Sequence, residues 1–473
     1  MTKGAVALVL HAHLPYVRSA QPGSLEEDWF FQALIECYLP LLETLELASA
    51  DPHQQPKLTI GLSPTLLSLL SDQDLKQRFP AWLNERLDLL PKADPSLRAG
   101  AEHLAATIER HRRAWQSCDG DLIQRFAALQ RQGVVDLLTC GATHGYLPLL
   151  RHHPEAVRGQ LRTAVREHQR LVGERPLGIW LPECAYYEGL DRWMRDAGLR
   201  YAVLDGHGLL HGRPRPRYGV YAPICSRNGV AFFGRDSDAT LPVWSAKDGY
   251  PGDPHYREFH RDLGWDLPIE ELKPLGLDQP RPLGLKLHRV TDHSAPLDRK
   301  RPYEPGVAAE RVKEHAADYL QGRRRQLDQL SAAMDVSPLL VAPFDAELFG
   351  HWWFEGPAFL SQLFQQAPQE GVAFTRLRDV LNSVGQLQLC DPCPSSWGQG
   401  GYHDYWLNDS NAWIIPEWEK ASAAMVQRCS RGVGSEQAMQ WLQQAARELL
   451  LAQSSDWSFI LRAGTTTELA KER

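Results

Sequence analysis

The sequence lacks several features that would place it in particular classes of protein. Its 473 residues contain no run of about 18 apolar residues, the length that a membrane-spanning helix requires. It has no excess of basic residues either, because 51 Lys and Arg stand against 58 Asp and Glu, a net charge of −7. Nucleic acids and anionic membranes bind concentrated basic surfaces. We therefore expect neither nucleic acid nor a membrane as a partner.

Signals for secretion and for structural zinc are also missing. Residues 1–4 lead directly into an apolar segment, without the longer apolar region and cleavage site of a signal peptide. The eight cysteines are scattered, and Cys390 and Cys393 form a single CxxC without a second pair. A structural zinc site needs about four ligands, so none is predicted. These features are typical of a cytoplasmic protein.

Short apolar segments that alternate with helical patterns are abundant in the sequence. Strands that alternate with helices predict a parallel sheet, and seven such segments favour a (β/α)7 barrel. A shorter segment, Gly229–Phe233, indicates local strand structure only. The seven predicted strands are Ala5–Leu10, Leu58–Leu62, Val134–Cys140, Leu177–Leu181, Tyr201–Leu204, Leu283–Leu287 and Leu339–Pro343.

The remaining segments suggest additions to this barrel. Residues 74–132 are charged and helical in pattern, which predicts a helical insertion. Residues 206–282 are rich in Pro, Gly and Arg, and we expect a long excursion over the active-site mouth. Two amphipathic helices are predicted within residues 411–452. We therefore expect a catalytic barrel over residues 1–380 and an all-helical C-terminal domain over residues 381–473, which contributes aromatic side chains to the cleft.

Carboxylates follow two of the predicted strands. Glu183 lies in Trp180–Tyr186 and Asp345 lies in Ala342–Trp353, each among apolar and aromatic residues. Strand C-termini of such barrels carry the chemistry, and an apolar setting makes the protonation of a carboxylate tunable. Two carboxylates that face each other can cleave a glycosidic bond, since one attacks carbon while the other handles the proton. Glutamates and aspartates in loops can also be purely structural.

The pair His11 and His13 admits two interpretations. Alternate residues of a strand share a face, so both imidazoles point the same way. Such a pair can hydrogen-bond a substrate, or it can begin a metal site of the kind found in amidohydrolase-type barrels. The metal interpretation has no need for Glu183 or for the 15 tryptophans. Its remaining ligands would be His144, His207 and Asp345.

Two glycine-containing segments carry further candidates. Gly141–Leu147 presents His144 at a strand exit, and Ser395–Tyr402 carries Trp397 among flexible glycines. Aromatic rings of this kind stack on sugars, but they can equally pack between domains. Three other acids are candidates without an assigned role, namely Glu188, Asp205 and Glu347.

These motifs together resemble glycoside hydrolase family 57, and within it the 1,4-α-glucan branching enzymes. The similarity covers nearly the whole chain, and the subgroup is indicated by Trp-Leu-Pro-Glu-Cys-Ala-Tyr, by Asp-Ala-Glu-Leu-Phe-Gly-His-Trp-Trp and by Gly249–Pro254. The five regions that carry the resemblance are His11–Pro15, Gly141–Leu147, Trp180–Tyr186, Ala342–Trp353 and Ser395–Tyr402.

The resemblance implies a (β/α)7 barrel with a helical insertion and a helical C-terminal domain, and it implies no metal and no cofactor. The expected partner is an α-glucan such as amylose, glycogen or an amylopectin-like chain. Glu183 would be the nucleophile and Asp345 the general acid/base of a retaining enzyme, with carboxyl groups about 5–6 Å apart. The expected substrate-binding residues are His11, His13, His144, Trp180, Trp265, His351, Trp352, Trp397 and Trp406.

One segment departs from the related branching enzymes. These carry a loop over the cleft with a tyrosine at its tip, which favours transfer over hydrolysis. The segment from Gly229 to Trp244 is short and has no tyrosine, so Tyr250 is the candidate for this loop residue. The alternatives to branching are an α-glucan hydrolase, a 4-α-glucanotransferase or a weakly active glucan-binding homologue.

Overall fold

A computed structural model describes residues 4–19, 22–245, 247–432 and 434–473. The first three residues, on which part of the signal-peptide argument rests, lie outside the described residues. The strands are β1 Ala5–Ala12, β2 Leu58–Leu62, β3 Val135–Leu138, β4 Gly178–Ile179, β5 Tyr201–Leu204, β6 Ile224–Cys225, β7 Ala231–Gly234, β8 Leu339–Asp345 and β9 Gln388–Leu389.

Seven of these strands close into a parallel barrel. One sheet has the order β3-β2-β1-β8, and β4, β5 and β7 form a second parallel group. A parallel bridge between Thr139 and Ile179 joins β3 to β4. The N–H of Asp236, just after β7, donates to the carbonyl of Val341 in β8 at 2.9 Å and joins the other two edges. The predicted (β/α)7 barrel is therefore confirmed.

The sixth barrel strand is not the predicted one. Leu283–Leu287 is buried but irregular, and β7 takes its place in the barrel. The reason is a contact with another segment, because the N–H groups of Leu283, Gly284 and Leu285 donate to the carboxylate of Asp262 at 2.9–3.1 Å. Backbone donors that are satisfied in this way are not available for a strand ladder. The excursion over residues 206–282 thus contains one barrel strand.

Helices surround the barrel. The helical insertion consists of three helices within residues 73–131, and two helices lie at the positions predicted within residues 411–452. The helices are α1 Leu25–Ala33, α2 Leu39–Ala50, α3 Pro64–Ser71, α4 Gln73–Leu89, α5 Arg98–Ser117, α6 Leu122–Arg131, α7 Pro154–Val172, α8 Leu190–Asp196, α9 Gly206–Leu210, α10 Ser237–Trp244, α11 Leu263–Asp266, α12 Ile269–Leu272, α13 Pro305–Ala333, α14 Gly356–Glu370, α15 Leu377–Ser383, α16 Ile414–Ser430, α17 Glu436–Ala452, α18 Ser455–Ala463 and α19 Thr467–Glu472.

The alternation of side chains along β1 explains how the barrel presents polar groups. Val6, Leu8 and Leu10 belong to the core beneath the outer helices, whereas Ala7 and Val9 belong to the core inside the barrel. A strand has a period of two, so the next residue on the inner face is His11. Among the described residues, no helix combines the length and the apolar character needed to cross a bilayer.

Candidate active site

A cleft at the C-terminal ends of the barrel strands brings most of the predicted residues together. It encloses a cavity of about 360 Å³. Leu14, Trp29, Phe459 and other apolar residues complete its wall. Its polar and aromatic lining consists of His11, His13, His144, Glu183, Asp345, Glu347, His351, Trp352, Trp397 and Asp456.

Glu183 lies in a strained turn directly after β4. The 3₁₀ turn Pro182–Cys184 contains Glu183 at φ 61° and ψ 25°, and Cys184 follows with φ 49°. Non-glycine residues rarely adopt this left-handed region, and such strain persists where the surrounding structure fixes it, frequently at functional sites. The indole N–H of Trp397 donates to Glu183 Oε2 at 2.9 Å, and the hydroxyl of Ser455 donates to Oε1 at 3.0 Å.

Asp345 ends strand β8 next to His11, its partner in the register with β1. Within the described part of the chain, no group donates a hydrogen bond to its carboxyl. Burial, followed by the negative charges of Glu347 and Glu183, raises the pKa of Asp345 well above its usual value, against the opposing charge of Arg235. The pKa of Glu183 is raised as well, chiefly by burial, although the hydrogen bonds from Trp397 and Ser455 oppose the rise.

The histidines form a stack of parallel rings beside Glu183. The ring centroids of His13 and His144 lie 3.8 Å apart with an angle of 11°, and His11 stacks on Trp180 at 4.8 Å. His11 Nε2 and His144 Nε2 share a hydrogen bond of 2.9 Å. Burial, followed by the neighbouring histidines, lowers the pKa of His11 and His144 well below the usual value. Both rings are therefore neutral near pH 7.

His13 differs from the other two histidines because it faces a carboxylate. Its Nε2 lies 3.0 Å from Asp456 Oδ2, and its Nδ1 lies 2.9 Å from the hydroxyl of Ser63. Burial lowers the pKa of His13, but Asp456 outweighs this and raises it. In return, and although burial opposes it, His13 lowers the pKa of Asp456 to about 2. The two side chains form a partly buried ion pair.

Ser455 and Asp456 are functional residues that the sequence analysis missed. They begin α18, far from the barrel strands in sequence, and they occur in no motif that we considered. The signal that could have indicated them is Ser454–Asp456 ahead of Trp457, because serine and aspartate are typical of helix N-termini. The backbone N–H of Ser455 also donates to the carbonyl of His144 at 2.9 Å, which fixes this helix to the site.

Three potential metal ligands meet in the cleft. Ligand atoms of His13, His144 and Asp456 lie within 4.8 Å of one another. However, an imidazole binds a metal through a lone pair in the plane of its ring. The nearly parallel planes of His13 and His144, with centroids 3.8 Å apart, do not converge on a common point. Both ring nitrogens of His13 and of His144 are also already hydrogen-bonded to neighbouring side chains. The residues as arranged therefore fit a hydrogen-bonded network better than they fit a metal.

Four predicted residues lie outside the cavity lining. Trp180 is buried beneath His11, and Trp406 is buried against Tyr146 at a ring distance of 4.6 Å. Trp265, on α11, is 52% exposed. The prediction for Tyr250 needs correction: its hydroxyl donates to Asp318 of α13 at 2.7 Å, and its ring stacks on His315. These contacts hold it against the outer helices, so it is not a loop residue at the cleft.

Comparison with known proteins agrees with this geometry. The model of glycosyl hydrolase family 57 matches residues 7–391, and the model described as "1,4-alpha-glucan branching enzyme, C-terminal" matches residues 417–473. A 1,4-α-glucan branching enzyme of Thermococcus kodakarensis is 32% identical over 505 aligned residues, which cover 100% of this chain and 72% of that protein.

Two crystal structures resemble the whole chain closely. An enzyme described as a novel α-amylase, AmyC from Thermotoga maritima, is 35% identical with a TM-score of 0.91, covering 99% of this chain and 90% of that one. A branching enzyme from Pyrococcus horikoshii is 32% identical with a TM-score of 0.89, covering 99% and 87%. Because the family model spans the barrel and both strand-end carboxylates, the chain belongs to glycosyl hydrolase family 57.

Proposed function

We propose that the protein is a retaining 1,4-α-glucan branching enzyme, with Glu183 as nucleophile and Asp345 as general acid/base. The observation that carries this assignment is the contrast between the two carboxyl groups. Two donors favour the ionised form of Glu183, whereas burial and neighbouring carboxylates favour the protonated form of Asp345. Pairs of carboxyl groups whose environments separate their pKa values divide into acid and base.

The first step cleaves the donor chain. A carboxylate oxygen of Glu183 attacks the anomeric carbon of an α-1,4-linked glucose, and Asp345 transfers its proton to the departing glycosidic oxygen. The C1–O bond breaks, a glycosyl ester forms at Glu183 with inverted configuration, and the released chain carries a free 4-hydroxyl. A retaining mechanism of this kind requires carboxyl groups about 5–6 Å apart.

The second step transfers the chain. Asp345, now ionised, removes the proton from the 6-hydroxyl of another α-glucan segment, whose oxygen attacks the anomeric carbon of the ester. The bond to Glu183 breaks, Glu183 is regenerated, and the α configuration is restored in an α-1,6 linkage. The second inversion cancels the first, so the enzyme retains configuration.

The other side chains of the cleft hold and orient the sugar. The neutral rings of His11 and His144 line the cavity wall, and the exposed ring of Trp352, 46% accessible, offers a stacking surface at the rim. We also propose Trp265 as an outer stacking residue. The segment 381–473 acts as a C-terminal domain that completes the site through Trp397, Ser455 and Asp456.

A hydrolase acting on the same substrate is the second candidate. Two observations favour it, namely the similarity to the enzyme described as an α-amylase and the position of Tyr250 away from the cleft. Water would then replace the 6-hydroxyl in the second step. A 4-α-glucanotransferase would use a 4-hydroxyl instead.

Product analysis tests the proposal. The purified protein is incubated with linear amylose, α-1,6 linkages are counted by proton NMR, and new reducing ends are measured in parallel. Branching adds α-1,6 linkages without a matching gain in reducing ends. Reducing ends without new α-1,6 linkages would identify a hydrolase, and redistributed linear chains would identify a glucanotransferase.

A further inference from the structure

A π-helical turn interrupts the long helical segment between α1 and α2. It spans Leu34–Tyr38, and such single turns within α-helices occur frequently at functional sites. Its last three residues all contact the segment that follows β8 and Asp345. Glu36 accepts a hydrogen bond from His351 Nδ1 at 2.6 Å, and the thiol of Cys37 donates to the carbonyl of Ala346 at 3.1 Å.

The third contact, from Tyr38, is the most direct one to the site. Its hydroxyl donates to Glu347 Oε1 at 2.5 Å, and the same oxygen accepts the backbone N–H of His13 at 3.1 Å. Tyr38 is fully buried and Glu347 nearly so, although Glu347 lines the catalytic cavity. The π turn packs directly against the backbone at Gly350. A Cβ atom at this position would lie only 1.7 Å from the carbonyl oxygen of Glu36, so no larger residue fits there.

Glu347 is one of four carboxyl groups in the cavity lining, with Glu183, Asp345 and Asp456, and the proposed reaction does not use it. The pKa of Glu347 is raised to about 7, chiefly by burial, and the hydrogen bond from Tyr38 opposes this rise. Burial raises the pKa of Tyr38 well above its usual value, so its hydroxyl is a donor throughout the working range. Glu347 therefore changes its charge near neutral pH, directly beside Asp345.

We propose that Tyr38 and Glu347 are a positioning pair for the reaction, in which the Tyr38 hydroxyl fixes the Glu347 carboxyl beside Asp345 and governs the charge that Asp345 faces. This inference rests on the acid/base role proposed for Asp345. The charged or titratable groups around the pair are His13 directly after β1, Cys37 on the π turn and Asp345 on β8. Those that also act on Asp345 are Glu183, Arg235 and Asp456.

The direction of the effect follows from like-charge repulsion. Asp345 must hold its proton to assist bond cleavage, so its ionisation sets the alkaline limb of the rate profile. When Glu347 ionises, it opposes ionisation of Asp345 and extends the active range towards higher pH. Without the Tyr38 hydroxyl, Glu347 keeps its proton to higher pH, and Asp345 then loses its own proton at lower pH.

The test compares pH profiles of amylose cleavage, followed by loss of iodine staining so that every donor cleavage counts. We expect Tyr38→Phe and Glu347→Gln each to move the alkaline limb to lower pH by about one pH unit. Glutamine keeps an acceptor for Tyr38 and for the N–H of His13, so Glu347→Gln preserves the packing. Because Tyr38 acts through Glu347, adding Tyr38→Phe to Glu347→Gln should produce no further shift.

A matched control is available elsewhere in the chain. The hydroxyl of Tyr303 donates to Glu355 Oε1 at 2.7 Å, both residues are buried, and neither lines the cavity. Tyr303→Phe should lower thermal stability without moving the alkaline limb. The inference is overturned if folded Tyr38→Phe or Glu347→Gln keeps the wild-type limb. Substantial turnover by Asp345→Asn would instead refute the acid/base assignment, so the two failures are distinguishable.

Discussion

The two turns that carry the proposed catalytic carboxylates both follow a barrel strand, but the two carboxyl groups differ in the hydrogen bonds that they accept. Each is a single 3₁₀ turn after a barrel strand, Pro182–Cys184 after β4 and Ala346–Leu348 after β8. Glu183 lies inside its turn in a left-handed conformation and accepts two hydrogen bonds. Asp345 precedes its turn with extended backbone, and among the described residues it has carboxylates as neighbours and no donor.

This contrast teaches that the surroundings, rather than the strand ends, assign the chemical roles. Hydrogen bonds to a carboxylate favour its charged form, and burial beside like charges favours its neutral form. The same topological position therefore suits the nucleophile that we propose after one strand and the proton donor that we propose after the other.

The strongest way to break this comparison is to neutralise each carboxylate. We expect Glu183→Gln to lower turnover on amylose by at least about 10⁴-fold, since it removes the nucleophile. Asp345→Asn should lower it by about 10²–10⁴-fold, the usual contribution of a proton-transferring group. Initial rates and glucan binding are measured together, because both variants should still bind. Near-normal rates in either folded variant would transfer its role to another carboxylate, first Glu347.

A milder change removes one donor from Glu183 and makes the two turns more alike. Trp397→Phe keeps a ring but loses the indole N–H, and a hydrogen bond to a charged group contributes about 1.5–3 kcal/mol. We expect kcat/KM to fall by about 10- to 100-fold. The pKa of Glu183 should rise, and the acidic limb of the pH profile should therefore move to higher pH.

The matched control for this variant is Trp353→Phe. The indole N–H of Trp353 is buried and has no acceptor among the described residues, and it does not line the cavity. This substitution should cost stability through lost packing and leave the acidic limb in place. A limb that moves equally in both variants would mean that the Trp397 hydrogen bond does not control Glu183.

Neutralising the two carboxylates should also change the stability of the fold, and here we expect the larger effect from Asp345. An acid whose pKa is raised in the folded state binds a proton more tightly there, so its ionisation destabilises the fold as pH rises above its unfolded value near 3.9. Asp345→Asn removes this cost and should stabilise the protein at pH 7 by about 1 kcal/mol. Glu183→Gln should gain less, since hydrogen bonds from Trp397 and Ser455 already compensate part of its burial.

Thermal unfolding at pH 7 and at pH 4 measures this difference. The gain from Asp345→Asn should shrink towards pH 4, where the wild-type carboxyl is protonated in both states. An equal gain at both pH values would show that the effect comes from packing and not from charge.

The smallest expected effect is none at all. A divalent cation among His13, His144 and Asp456 would favour ionised carboxylates and erase the difference between the two turns. Because the stacked rings do not converge on one point, we expect amylose cleavage to survive EDTA treatment unchanged. Reversible loss of activity, restored by zinc or manganese, would contradict our assignment of both histidines and of Asp345.

Local patterns in the sequence predicted the parts of the fold and site that depend on local order. The apolar segments before Glu183 and Asp345 are strands because they are short and buried on both faces. The strand prediction was wrong at Leu283–Leu287. The apolar side chains of this segment are buried, as its pattern indicates, but its backbone N–H groups donate to Asp262, more than 20 residues away in sequence. The spacing of apolar residues indicates which side chains are buried, but it does not indicate which acceptor a backbone N–H group will bond.

The residues that escaped prediction depend on tertiary contacts. Ser455 and Asp456 enter the cleft only because α18 docks on the barrel, and nothing local to residues 455–456 specifies that docking. Tyr250 shows the reverse case, since its sequence position suggested the cleft but its ring packs against His315 on α13. Motifs therefore predict the carboxylates at the strand ends. The groups that change the pKa values of these carboxylates come from segments that are distant in sequence.

The hydrogen bond from Ser455 to Glu183 means that the cleft is completed late in the synthesis of the chain. A ribosome makes the chain from its N-terminus, and Ser455 is added 272 positions after Glu183. Every barrel strand has been made by then, whereas Glu183 still lacks one of its two donors and His13 lacks its counter-ion. The hydrogen bonds of the cleft are therefore complete only after the last part of the chain has been made and α18 has docked on the barrel.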